Sequence, residues 1–409
     1  MLVCRQEDRL KIYRLLNPDG TFSESEVPGT LGGNSNGKLY GRLDCRSANE
    51  ALPDYATNRV FFEDEAAAIA AGYRPCYTCM REQWERWKPG ARLGTKLYPW
   101  KKPPPKRPGL TPDSRDRAVG ALLGLAAGDA VGTTLEFKTR DTYDHLIDMV
   151  GGGPFGLEPG QWTDDTSMAL CLADSLCESG GLDPGDLMDR FCRWWRDGEN
   201  SSTGECFDIG NATTSALSAY EATGDPFSGS TDERSAGNGS IMRLAPIAIY
   251  RHDDPDRAAR DAVEQGRTTH GALECLGSCE LFAHVLADLI GGRSWPSASS
   301  PRGLEGLAPR VADIDAGTWR RKDRDAISSN GYVIHTLEAA MWCVDRTESF
   351  RDAVLLAANL GEDADTVAAV TGQVAGARYG ATGIPEPWLA KLYDRERIER
   401  LAGELFERR

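Results

Sequence analysis

The chain has no run of 18 consecutive apolar residues, about the length a helix needs to cross a bilayer. Its nearest approach, Ala118 to Val131, is interrupted by Asp129, so no membrane span is expected. Histidine is scarce, with five in 409 residues and none before His145, which leaves cysteine and carboxylate as the metal ligands of the first third. A disulfide framework is also missing. The eleven cysteines are odd in number and scattered, whereas disulfide-stapled domains are short and cysteine-dense. Cys171, Cys177, Cys192, Cys275, Cys279 and Cys343 sit in apolar stretches and read as small buried hydrophobes. The first eight residues, MLVCRQED, carry charge where a secretory signal needs an apolar core. The cytoplasm is therefore the expected compartment. What remains is globular composition, 40% hydrophobic and 27% charged, in a chain longer than one ordinary domain.

Charge divides the chain. Residues 1–110 hold 18 Lys/Arg against 13 Asp/Glu, and the remainder holds 29 against 49. A net of +5 is thus followed by a net of −20, the mark of two parts with different electrostatic character. Between them, residues 87–113 read WKPGARLGTKLYPWKKPPPKRPGLTPD, and the Pro103-Pro104-Pro105 run forces extended backbone. The expected organisation is a small domain at 1–87, a basic Pro-rich linker at 88–113 and a large domain at 114–409.

In the small domain, Cys45, Cys76 and Cys79 follow a C-x30-C-x2-C spacing. A Cys-x2-Cys pair sets two thiolates on one tight turn, as tetrahedral zinc requires. Around them stand Gly33-Asn34-Ser35-Asn36-Gly37-Lys38-Leu39-Tyr40, Arg42-Leu43-Asp44-Cys45-Arg46-Ser47-Ala48-Asn49, Asn58-Arg59-Val60-Phe61-Phe62 and Tyr73-Arg74-Pro75-Cys76. Over residues 30–85 this resembles the zinc-binding domain of Ada-type DNA-repair methyltransferases. The resemblance implies an α+β module with one zinc ion. It also implies a ligand where this chain has Gly41, so Cys4, Asp44 or water is left to complete the site.

The large part reads as helical. Apolar residues recur at helical spacing in 118–130, 166–177, 187–195, 212–220, 271–290, 332–344 and 364–377, with no strand-like alternation. The expectation is a compact all-α domain. Glycines at Gly120, Gly124 and Gly128, and at Gly372, Gly376 and Gly380, weaken isolated helices and so point to close backbone approach.

Two acidic clusters open helices: Thr163-Asp164-Asp165-Thr166 and Glu362-Asp363-Ala364-Asp365-Thr366. Capping accounts for one such side chain per helix start, not for several acids and hydroxyls at each. Brought together, the clusters form an all-oxygen site for a hard divalent ion.

These blocks carry a second resemblance. Gly124-Leu125-Ala126-Ala127-Gly128-Asp129-Ala130-Val131-Gly132 with Glu136-Phe137, then Trp162 to Met168, Cys206 to Asn211 and Gly237 to Arg243 stand in the order found in ADP-ribosylglycohydrolases. Thr269-His270, Gly331-Tyr332-Val333 and Asn359 to Thr366 complete the set. The resemblance implies two Mg²⁺ or Mn²⁺ held by Thr163, Asp164, Asp165, Asp363, Asp365 and Thr366. It implies catalytic acids at Glu136 and Asp208, phosphate contacts from Ser235, Gly237, Asn238 and His270, and adenine beside Tyr332. The implied reaction is hydrolysis of the glycosidic bond between ADP-ribose and a modified acceptor, commonly a protein. Two alternatives stand beside it. One is a protein that neutralises an ADP-ribosyltransferase toxin through the N-terminal extension, and the other is a hydrolase directed to ADP-ribosylated nucleic acid.

Overall fold

A computed structural model describes residues 13–17, 21–35, 38–45, 58–92 and 112–408. The chain separates into two compact units, Met1–Lys102 and Pro103–Arg409.

The first unit is built on a six-stranded sheet. Its strands are β1 (Tyr13–Leu16), β2 (Phe22–Ser25), β3 (Leu31–Asn34), β4 (Leu39–Arg42), β5 (Arg59–Phe62) and β6 (Arg74–Pro75), in the order β2-β1-β5-β3-β4-β6. β3 runs antiparallel to β4 and β5, while β6 joins β4 in parallel. Alternate residues face opposite sides of a strand, and here Leu31, Tyr40, Val60 and Phe62 turn to one small core with Tyr73 and Met80. Tyr40 is fully buried, and its hydroxyl donates to Glu65 Oε1 at 2.7 Å. The helix Arg81–Arg92 continues into residues 88–92, which the sequence assigned to the linker. Pro89 costs this helix one backbone hydrogen bond, yet the chain stays helical to Arg92. The Pro103–Pro105 run, like Cys4, lies outside the described residues.

The second unit is helical throughout, with isolated bridges in place of strands among its described residues. Its centre is an antiparallel pair, Ser114–Gly132 against Ala364–Tyr379. The close backbone approach expected of the glycines is made here, between these two helices. A Cβ on Gly124 would lie 2.2 Å from Gly372 O, one on Gly376 1.8 Å from Gly120 O, and one on Gly132 2.3 Å from Ala364 O. With hydrogen in place of side chains, the two backbones touch, and both helices are buried almost all round. The Ser114–Leu135 segment passes a length-and-hydropathy test for a membrane span, but its most apolar window is 94% buried inside the unit. Phe350–Ala358, Val333–Asp345, Leu273–Ile290 and Asp164–Ser179 surround the pair. Pro255–Arg267 and Arg395–Glu407, strongly charged on one side, are helices the apolar spacing did not reveal. The antiparallel register brings the C-terminal end of the first central helix to the N-terminal end of the second.

Candidate active site

A cavity of about 490 Å³ opens at that end of the central pair. Glu136 follows the Ser114–Gly132 helix after one 3₁₀ turn, and its Oε2 accepts from the backbone N–H of Ala364 (2.7 Å) and Asp365 (3.3 Å). A carboxylate thus closes the positive end of the Ala364–Tyr379 helix. Carboxylate oxygens of Glu136, Asp363 and Asp365 lie within 4.8 Å of one another. Asp164 and Asp208 face the same space.

The acids at the two helix starts are not caps. Thr163 and Asp363 occupy the cap positions and make no side-chain cap hydrogen bond. Thr163 Oγ1 donates to Asp129 Oδ1 at 2.9 Å and stands 3.2 Å from Asp365 Oδ2, while Thr366 Oγ1 donates to Asp165 Oδ2 at 3.2 Å. The two clusters predicted to meet are therefore one network. Asn238 Nδ2 donates to Asp363 Oδ2 at 2.7 Å and to Thr336 Oγ1 at 2.9 Å, which fixes that carboxylate from the opposite wall.

Asp129 was missed as a site residue. Fully buried, it accepts from the N–H and hydroxyl of both Thr163 and Thr166, at 2.6–3.0 Å. It performs the capping that the local side chains do not. Its one sequence signal is a single acid interrupting an apolar stretch, which does not say what it faces.

Of the other expected residues, Gly237, Asn238 and His270 line the cavity. Thr163 and Asp165 lie directly behind it in the carboxylate–hydroxyl network. Ser235 Oγ donates to Asp232 O at 2.6 Å, and the Tyr332 hydroxyl donates to Glu274 and accepts from Arg310 Nη1 at 3.0 Å; neither side chain is among those lining the cavity. Gly237 N–H donates to Ser235 O (2.8 Å) and Asn238 N–H to Gly331 O (3.2 Å), because the Gly237–Ser240 turn pairs with Tyr332 as a β-bridge, and the helix it opens, Gly239–Met242, is one turn long.

Electrostatics sharpen the picture. Burial, reinforced by neighbouring carboxylates, pushes Asp129 up to about 7, Asp363 to about 8 and Asp365 to about 6. Glu136, Asp164 and Asp165 are raised strongly for the same reasons. Burial holds His270 down at about 3, so its ring stays neutral, with Nδ1 2.8 Å from Thr269 Oγ1. Among the described residues lining the cavity there is no Lys or Arg, and Asp165 Oδ1 is buried without any hydrogen-bond partner. Buried carboxylates packed this closely need protons or cations, and the donor set is all oxygen, so the residues fit a hard divalent ion.

A pH dependence follows. Free carboxyls titrate near 4, so without cations the folded state binds more protons than the unfolded state between about pH 4 and 8, and these groups contribute less stability as pH rises. Cations displace those protons. The rise in Tm on adding Mg²⁺ or Mn²⁺ is expected to be larger at pH 8 than at pH 5.5, on the order of several degrees at the higher pH. Scanning calorimetry at both pH values checks this, and an equal or absent rise would contradict it.

In the first unit, β4 and β6 bring Cys45, Cys76 and Cys79 together, with sulfurs within 4.8 Å of one another. A Cβ on Gly41 would lie 2.7 Å from Cys79 Sγ, so a side chain at this position is directed at the cluster. Asp44 turns instead to Arg42, at 2.6 and 2.9 Å, on the exposed surface.

Comparison with known proteins agrees with both halves of this picture. The family model described as ADP-ribosylglycohydrolase matches residues 110–409, and the metal binding domain of Ada matches 31–82. The chain is 54% identical over 301 residues to ADP-ribosylarginine hydrolase Tri1 of Serratia proteamaculans (strain 568), covering 73% of this chain and 82% of that one. It is 45% identical over 370 residues to Tri1 of Pseudomonas putida (strain GB-1), covering 90% and 96%. Against the ADP-ribosyl-[dinitrogen reductase] glycohydrolase of Rhodospirillum rubrum it is 33% identical over 288 residues, covering 69% and 92%. A solved structure titled "ADP-ribosylglycohydrolase-related protein complex" superposes with a TM-score of 0.65 at 43% identity, covering 72% of this chain and 98% of that one. With its acids gathered where two helix ends meet, and with these matches over most of its length, the chain belongs to the ADP-ribosylglycohydrolase family.

Proposed function

We propose that this enzyme releases ADP-ribose from the guanidinium nitrogen of arginine side chains on modified proteins, using two Mg²⁺ or Mn²⁺ ions in the acidic cavity. The observation that carries the reading is the convergence of Glu136, Asp363 and Asp365 at the end of the glycine-packed helix pair. The acceptor follows from the kinship with two ADP-ribosylarginine hydrolases. Their names specify arginine, which favours a protein acceptor over nucleic acid.

Asp164, Asp165, Asp363, Asp365, Thr163 and Thr366 are the residues that would hold the ions, which when bound orient the ribose hydroxyls and activate water. The chain's own groups do the rest. Breaking the anomeric C–N bond gives the ribose carbon oxocarbenium character, which the surrounding carboxylates stabilise. Water supplies hydroxyl to that carbon and a proton to the departing nitrogen. Glu136 and Asp208, on the cavity wall, are the carboxyl groups in reach of these transfers. Asn238 keeps Asp363 turned inward, and neutral His270 shapes the wall without adding charge.

Incubation with a panel of arginine-, serine- and nucleic-acid-linked ADP-ribose, with Mg²⁺ or with chelator, tests this reading. Release of free ADP-ribose from the arginine conjugate alone, abolished by chelator, is expected. Preferred release from another acceptor would reject it.

We further propose that Cys45, Cys76 and Cys79 hold zinc weakly, since structural sites normally use four protein ligands. The Gly41→Cys variant is expected to retain zinc through a chelator treatment that strips the native protein. Elemental analysis of both decides, and full native occupancy after chelator would refute it.

A further inference from the structure

A row of three phenylalanines starts at the mouth of the cavity with Phe137. Phe137 is 68% exposed and lines the opening, Phe155 meets it edge-on with ring centroids 6.2 Å apart, and Phe207 meets Phe155 at 5.1 Å. Phe137 thus packs one edge on Phe155 and leaves most of its ring open to solvent beside the pocket. Each outer ring is also the chain neighbour of an acid facing the cavity, in the dipeptides Glu136-Phe137 and Phe207-Asp208.

The backbone is held in unusual geometry to achieve this. Phe137, Asp208 and Glu362 have φ of +60°, +59° and +61°, a left-handed conformation unfavourable for residues with a Cβ and concentrated at functional sites. Phe137 N–H donates to Glu362 O at 2.7 Å, and Glu362 N–H donates to Lys138 O at 2.8 Å, locking two loops together. The Phe155 loop is pinned to the central helix end, where a Cβ on Gly153 would fall 2.0 Å from Thr133 O and Thr134 Oγ1 donates to Gly151 O at 3.0 Å. The backbone segments that carry Phe137 and Phe155 are therefore held in place, and Glu362 adds an exposed carboxylate at the same rim.

We propose that Phe137, Phe155 and Phe207 form the acceptor subsite, a wall on which the guanidinium of ADP-ribosylated arginine lies while Asp208 and Glu362 face its positive edge. Guanidinium is planar, weakly hydrated and attracted to aromatic faces and to carboxylates together. A hydroxyl acceptor such as serine has neither the charge nor the flat surface to use the wall. This proposal rests on the arginine reading above and concerns what selects the acceptor.

The test compares the native enzyme with Phe137→Leu, Phe155→Leu and Phe137→Tyr, with thermal melts to verify folding. KM is measured for ADP-ribosylarginine, and the Kd of free ADP-ribose is measured calorimetrically with Mg²⁺. Both leucine variants are expected to raise KM about tenfold, with the ADP-ribose Kd within twofold, because the product lacks the acceptor. Phe137→Tyr, which keeps the ring, is expected to restore KM. An unchanged KM in the leucine variants overturns the proposal, as does a parallel loss of ADP-ribose affinity or a tyrosine variant that behaves like leucine. If the native enzyme leaves ADP-ribosylarginine intact while cleaving another conjugate, the arginine reading itself has failed, a result distinct from these.

Discussion

Asp363→Asn is expected to yield a folded protein whose turnover falls on the order of a hundredfold or more, with the apparent affinity for Mg²⁺ reduced alongside. Asp363 presents one of three carboxylates whose oxygens lie within 4.8 Å of one another, and Asn238 holds it in place at 2.7 Å. An amide keeps the shape and an acceptor oxygen for Asn238, but it removes one negative charge from the cation site. The same change has an opposite sign for stability. Asp363 is pushed up to about 8 by burial and by Asp365, so ionising it in the cation-free fold is unfavourable. Removing that cost is expected to raise the Tm of the cation-free protein at pH 8 while shrinking the further rise on adding Mg²⁺. Steady-state kinetics with a Mg²⁺ titration and paired melting curves read out both effects. Native-like turnover at low Mg²⁺ in a folded variant would remove Asp363 from the site.

Gly372→Ala is expected to be among the most damaging single-methyl changes in the second unit. The added Cβ would fall 1.9 Å from Gly124 O, backbone against backbone, so no side chain can rotate aside. Alanine favours a helix over glycine by about 1 kcal/mol, yet forcing two packed helices apart costs about 3 kcal/mol. The balance is a loss of about 2 kcal/mol, or roughly 3 °C in Tm for a unit of this size. Gly181→Ala is the control, since its Cβ would meet only a guanidinium atom of Arg251 at 3.8 Å, and its effect is expected to stay within about 0.5 kcal/mol. The Gly372 change is also expected to weaken Mg²⁺ binding, because the central register is what sets Glu136 against Ala364 and Asp365. Equal melting temperatures for the two variants would show that the central helices do not depend on contact at Gly372.

Much of this was legible in one dimension. Helical apolar spacing located most of the long buried helices of the second unit, but it passed over the short buried helix Phe350–Ala358, and over Pro255–Arg267 and Arg395–Glu407, whose one-sided charge dilutes the pattern. The metal-type clusters showed because they held more acids than capping can use. Asp129 did not, because a lone acid in an apolar helix carries no statement of what it faces until four donors are seen around it. Phe137 was visible only as part of a motif. Its exposure depends on a left-handed backbone that Glu362, 225 positions along the numbering, holds in place.

Residue types and spacing by themselves determined the division into a basic and an acidic part, the helical class of the larger one, the glycine-faced helices and the oxygen-donor chemistry of the two clusters. These follow from local physics: side-chain charge, the 3.6-residue period and the missing Cβ of glycine. Only the tertiary structure decided that the central helices run antiparallel in a register joining Glu136 to Asp363 and Asp365, that Asp129 serves both threonines, and that three phenylalanines stand in one row. Each of these depends on segments far apart in the chain meeting at distances of a few ångströms. Such proximity comes from packing of the whole core, and no local pattern encodes it.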